Sequence, residues 1–159
     1  AVDTRMPAAG FYSIHTSKLT FRSDGRWYAD EDPVLHERLA RLFSRYVRRK
    51  PSGGYEIWID ERYHADVEIE DTLYVVTAVD ADAAGHFTVD LNDGTTELLN
   101  ADSLQVGAKD VLYCCVKNGS ERARFLRAAY YQLANFIEEA GLGRFQLRCG
   151  GITHPIAQL

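Results

Sequence analysis

Two short turns fix most of what this chain can become. Ser23-Asp24-Gly25 sits between Leu19-Thr20-Phe21-Arg22 and Arg26-Trp27-Tyr28, and Asn92-Asp93-Gly94 sits between residues 87–91 and 95–99. An Asp-Gly step between alternating apolar and polar residues is a hairpin signal. Glycine tolerates the positive φ of a tight turn, and the alternation gives each strand one face for a core. Other segments follow the same period. Tyr55, Ile57 and Ile59 share one strand face, and Val67 and Ile69 share another, with Glu68 and Glu70 opposite. Residues 73–79 are nearly continuous β-branched and aromatic sequence, the composition of a more buried strand, and residues 111–116 form the last strong strand signal. Residues 145–149 fit a short final strand.

Two segments carry the helical period instead. Leu35, Leu39, Leu42, Phe43 and Tyr46 recur at helical spacing through Val47. Asp32 as N-cap and Pro33 as first helical residue are expected to open this helix, and Pro51-Ser52-Gly53-Gly54 to end it. A second helix is expected over residues 120–139. Ser120 would be its cap, and Phe125, Leu126, Ala129, Tyr130, Leu133, Phe136 and Ile137 its apolar stripe, with Gly141 and Gly143 beyond it. Consecutive strands with two main helices argue for an α+β fold of mostly antiparallel sheets. The expected layout is an arm over residues 1–18, a helix-plus-sheet sub-domain over 19–80, and a sheet-plus-helix sub-domain over 81–159. Residues 71–76 are echoed by 110–115, which makes a repeated helix-plus-sheet motif one reading of that layout.

Charge narrows the choice of partners. Eighteen Lys plus Arg against 23 Asp plus Glu give a net charge of -5. Broad non-specific nucleic-acid binding goes with a basic surface, so it is not expected here, and any anion site must be local. No run reaches the roughly eighteen apolar residues of a membrane span. No basic start with a following apolar block marks a secretory signal. Three cysteines, two of them adjacent, give no disulfide framework, which favours a reducing, cytoplasmic setting. Oligomeric state has no signature in the sequence.

The candidate sites follow from this local-charge argument. Arg38, Arg41, Arg45 and Arg48 fall at spacings of three, four and three, one stripe beside the apolar face of the first helix. Such a stripe can hold phosphate groups or an acidic partner. The alternative is pairing within the chain, to Asp60, Glu61, Asp66, Glu68, Glu70 or Asp71. A second anion site is expected at the N-terminus of the second helix, where Lys117, Ser120 and Arg122 would meet free amides; solvated side chains are the simpler account. Cys115 is not read as a nucleophile. It is separated from Arg122 by one residue more than a phosphatase-like loop has, and Glu121 stands where the cation belongs. His15, His36, His64, His86 and His154 are scattered, so no metal and no cofactor are expected. No GxSxG elbow, GxGxxG loop, P-loop or HExxH is present.

Several stretches in order resemble a known family. They are Asp24-Gly25-Arg26-Trp27, Pro33-Val34 leading to Leu39-Ala40-Arg41-Leu42-Phe43-Ser44, residues 55–59, Glu61-Arg62, and Val67-Glu68-Ile69-Glu70-Asp71. Leu112-Tyr113 through Val116-Lys117 and Arg127-Ala128-Ala129-Tyr130-Tyr131-Gln132-Leu133 complete the set. Together they resemble a bacterial family of uncharacterised proteins catalogued as domain of unknown function 1285. The sequence departs from that pattern at Thr72-Leu73-Tyr74, where the family has Ala-Pro-Phe, and over residues 101–110, so the kinship is with that family or a sister of it. The resemblance implies an α+β fold of repeated helix-and-sheet motifs and a role in signalling or ligand binding, with no catalytic set. The resulting expectation is a non-enzymatic module that binds a small anionic ligand or an acidic protein partner. One alternative is a small hydrolase using Glu68, Glu70 and Asp71 with His64. Another is a structural adaptor with Trp27, Trp58 or Tyr131 in one exposed patch.

Overall fold

A computed structural model describes residues 17–159. Nearly all of the expected arm, and His15 with it, lies outside them. The chain divides into two compact units, the first ending at Leu73 and the second running over Tyr74–Leu159. The boundary therefore falls before the expected 80/81. The strand Tyr74–Ala81 explains the shift, because it hydrogen-bonds into the sheet of the second unit.

The first unit is a six-stranded sheet with one helix. Its elements are β1 (Leu19–Phe21), β2 (Trp27–Ala29), β3 (Asp32–Pro33), α1 (Glu37–Tyr46), β4 (Val47–Arg49), β5 (Tyr55–Trp58) and β6 (His64–Ile69). The sheet order is β3-β2-β1-β6-β5-β4. The expected Asp24-Gly25 hairpin joins β1 to β2, with Phe21 opposite Trp27 and Gly25 at φ 81°. β1 then runs parallel to β6, with Leu19 beside Val67. Asp32 and Pro33 do not open the helix. They form the edge strand β3 against Tyr28 and Ala29, and proline is tolerated there because an edge position needs no ladder donor. His36 caps α1 instead, its ring Nδ1 accepting from the Leu39 amide at 3.2 Å.

Alternation fills the core of this unit. Leu19, Phe21, Trp27, Val47, Ile57 and Val67 are buried on one sheet face, and Phe43 of α1 is buried with them. Trp27 lies 5.0 Å from the Phe21 ring and 5.6 Å from that of Phe43. Its indole N–H donates to Ser44 Oγ at 2.9 Å. Ser44 is thus a buried polar residue with a reason, and it draws the Phe43–Ser44 side of α1 inward. Of the apolar stripe only Phe43 is fully buried: Leu35, which precedes the helix, is 78% exposed and Tyr46 37%, while Leu39 and Leu42 are half-buried.

The second unit holds two sheets and a shorter helix. One sheet contains β7 (Tyr74–Ala81), β8 (Phe87–Leu91), β9 (Thr96–Leu98), β10 (Gln105–Val106), β11 (Leu112–Val116), β12 (Glu121–Phe125) and β16 (Ala157–Gln158). The other contains β13 (Ile137–Gly141), β14 (Arg144–Cys149) and β15 (Ile152–Pro155). The first is ordered β16-β10-β11-β12-β7-β8-β9. The expected second helix is cut to α2, Arg127–Ala134. Residues 121–125 are strand: Ala123 and Phe125 are buried, and β12 pairs antiparallel with β11 and parallel with β7. Residues 137–141 are strand as well. Ala129 and Leu133 of α2 enter a core that includes Val76, Phe87, Val89, Leu112, Cys114, Leu147 and Ile156. The echoed residues 71–76 and 110–115 lead into β7 and β11, which flank β12 in one sheet. The echo relates two strands of one unit and not the two units. Both units are α+β with mostly antiparallel pairing. Among the described residues no helix is long and apolar enough to cross a membrane.

Candidate functional site

The arginine stripe splits in two. Arg48 belongs to β4, and its Nε donates to Glu56 Oε2 at 2.9 Å while its guanidinium lies 4.5 Å from the centre of the Trp58 ring. Trp58 is stacked on His64, ring centroids 4.6 Å apart. Lys50, just beyond, reaches Asp66 at 2.9 Å. These cations are committed to the chain's own carboxylates. Arg38, Arg41 and Arg45 are exposed on α1 and make no hydrogen bond, ion pair or ring contact with any described residue. Spacings of three and four place them on adjoining turns of one face. Arg45 also lies in the last helical turn, where the macrodipole favours a cation.

Lys117, Ser120 and Arg122 do not gather at a helix terminus. They belong to the β11–β12 hairpin, where Lys117 and Asn118 adopt left-handed φ values of 56° and 57°. The Ser120 hydroxyl closes this turn by donating to the Lys117 carbonyl at 2.7 Å. The Lys117 ammonium is engaged: Asp93 Oδ2 lies at 2.7 Å, Thr95 Oγ1 at 3.0 Å, and the Tyr74 ring centre at 5.0 Å. Its amide faces the Glu97 carboxylate at 3.2 and 3.3 Å. A left-handed lysine costs about 1–2 kcal/mol in most settings, and this network holds it there. Burial pushes the Asp93 carboxyl upward, but hydrogen bonds from Lys117 and Thr95 outweigh that and hold it below the usual aspartate value. Arg122 stacks over Tyr113 at 4.1 Å. The helix-terminus anion site is therefore corrected to a structural turn.

The cysteines divide as alternation requires. Cys114 points into the core, and burial pushes its thiol up to about 12. Cys115 lies on the other face, opposite Arg122. Alkylation at mildly alkaline pH, followed by peptide mass spectrometry, is expected to label Cys115 and Cys149 in the native state and Cys114 only after unfolding.

Glu68, Glu70 and Asp71 are all exposed. Lys18 faces Glu68 at 3.3 Å, and Glu70 accepts from the Ser23 amide at 2.8 Å. None sits in the desolvated cleft that a general acid needs. Trp27 is 1% exposed and adds nothing to a surface patch. One pair has no local sequence signal: His154 Nδ1 of β15 meets Asp102 Oδ1 at 2.5 Å across 52 residues. Two further features belong to the second unit. The turn glycines Gly85 and Gly150 are joined by a backbone hydrogen bond of 3.0 Å. Beside them lies an open cleft of about 460 Å³ bordered by Phe136, Glu138 and Arg148. Among the described residues no three His, Cys, Asp or Glu side chains converge as a metal site.

Fold and surface together define a two-unit α+β protein with a basic helix face. A solved DUF1285 family protein from Silicibacter pomeroyi DSS-3 has a similar fold, with a TM-score of 0.66 and 19% identity over 89% of this chain and 80% of that one. A second DUF1285 family protein, from Shewanella baltica OS155, gives a TM-score of 0.56 and 18% identity over 76% of this chain and 93% of that one. The chain thus shares the fold of DUF1285 family proteins, as the sequence resemblance implied. No protein-family model matches the sequence, and no curated protein matches it.

Proposed function

We propose that the protein is a non-enzymatic binding module that takes an anionic ligand or acidic partner on α1. One observation carries the reading. Arg38, Arg41 and Arg45 have no partner among the described residues, whereas Arg48 and Lys50 beside them are clasped by Glu56 and Asp66. A chain with net charge -5 has acids to spare for internal pairing, yet three guanidiniums on one helix face go without. Their planar forks suit carboxylate and phosphate groups.

The test is titration of the native chain and an R41Q/R45Q variant with poly-glutamate, pyrophosphate and ATP, followed by thermal shift and calorimetry. The native protein is expected to bind at least one of them. The variant should bind it about tenfold more weakly, a loss of ~1.4 kcal/mol, with its melting temperature nearly unchanged. Equal binding by both proteins, or none by the native chain, sinks the proposal.

A further inference from the structure

We infer that α1 docks an acidic amphipathic helix of another protein, with Leu39, Leu42 and Tyr46 as its apolar seam, the exposed Leu35 just ahead of the N-cap extending it, and Arg38 and Arg45 as its charged flank. This rests on the reading of α1 just given and names the class of partner. Leu39, Leu42 and Tyr46 are spaced three and four, the alternation of a two-helix seam, and Leu35 immediately precedes the N-cap of the helix. They do not form the inner face of α1, which is built from Phe43 and Ser44. Leu35 is largely uncovered, Tyr46 keeps about a third of its surface open, and the two leucines between them are half-covered. An apolar row left at the surface next to unpaired cations fits an occupant that is apolar on one side and acidic beside it.

Spacing and charge favour a helix over other anionic surfaces. Arg38 and Arg45 occupy equivalent flanking positions seven residues apart, which separates them by about 10 Å along the axis. A partner helix with acids at the same heptad interval meets both at once. A free phosphate meets only one and leaves the leucines wet. An anionic lipid surface suits the arginines, but α1 is ten residues long with a narrow, half-covered seam, far short of the apolar face that interfacial helices bury. The net charge of -5 also opposes approach to such a surface.

The probe is a synthetic heptad-repeat peptide with Leu at the seam positions and Glu at the flanking ones, whose like charges discourage self-pairing. Binding to the full chain is read by fluorescence anisotropy, with poly-glutamate and phosphatidylserine vesicles in parallel. Native protein should bind the peptide. L35Q/L42Q should bind it about tenfold more weakly while keeping poly-glutamate binding, and R41Q/R45Q should lose both. L35Q alone, at a solvent-facing position, keeps the measurement valid if the double variant unfolds, and should weaken peptide binding measurably. Unchanged peptide binding by the leucine variants, with loss in R41Q/R45Q, overturns the seam and leaves the basic site standing. Unchanged binding of both probes by R41Q/R45Q overturns both. Vesicle binding without peptide binding by the native chain overturns the helix partner in favour of a lipid surface.

Discussion

Replacing Trp27 by alanine is expected to destabilise the first unit by about 4 kcal/mol, among the largest costs a single substitution imposes. The side chain is 1% exposed and lies between the Phe21 and Phe43 rings. Its removal opens a cavity at the contact between sheet and helix. It also leaves the buried Ser44 hydroxyl without its indole donor. A second substitution separates these effects. Ser44→Ala keeps the ring but strands its N–H, at a cost of about 1–3 kcal/mol. Urea unfolding followed by far-ultraviolet circular dichroism measures both. If Trp27→Ala shifted the midpoint no more than a surface change, the core described for this unit would be wrong.

Asp93→Asn is expected to cost about 3 kcal/mol in the second unit, because it leaves the Lys117 ammonium without its charge partner. Asp93 is 5% exposed, and the Lys117–Asp93 pair secures a turn with two left-handed residues. The pH dependence has a defined sign. The folded-state pKa of Asp93 is lowered, so its contribution is present above the ordinary aspartate pKa and is lost as pH falls through the folded-state value. Melting temperatures of the native chain should fall across that acidic window. The Asn variant should start lower at neutral pH and show a flatter decline. Parallel curves for the two proteins would show that Asp93 does not carry this dependence.

What could be read from the sequence was what is local. The Asp24-Gly25 and Asp93-Gly94 turns were legible because the glycine conformation they need, φ 81° at Gly25 and 88° at Gly94, is set by adjacent residues. Residues 120–139 misled because two periods coexist there. Phe125, Ala129 and Leu133 fit a helix, but Ala123 and Phe125 also alternate with Arg122 and Arg124. Pairing with β7 and β11 decides for the strand, and no local window contains those partners. Asp32-Pro33 is a good helix opening that long-range pairing with β2 overrides. The basic face of α1 was legible as a spacing. Its division into bound and unbound arginines was not, since Glu56 and the cross-strand register that brings it to Arg48 are properties of the folded sheet.

The parallel pairings have a kinetic consequence. Within the first unit β1 meets β6 only after α1 and the β4–β5 hairpin have been traversed, and within the second β12 meets β7 across four intervening strands. Closing such long loops loses chain entropy before any contact repays it, so these steps come late and slowly. The hairpins at Gly25 and Gly94, which close short loops, are expected to form before these pairings, and α1 to gain its Phe43 and Ser44 contacts only once the sheet beneath it is assembled.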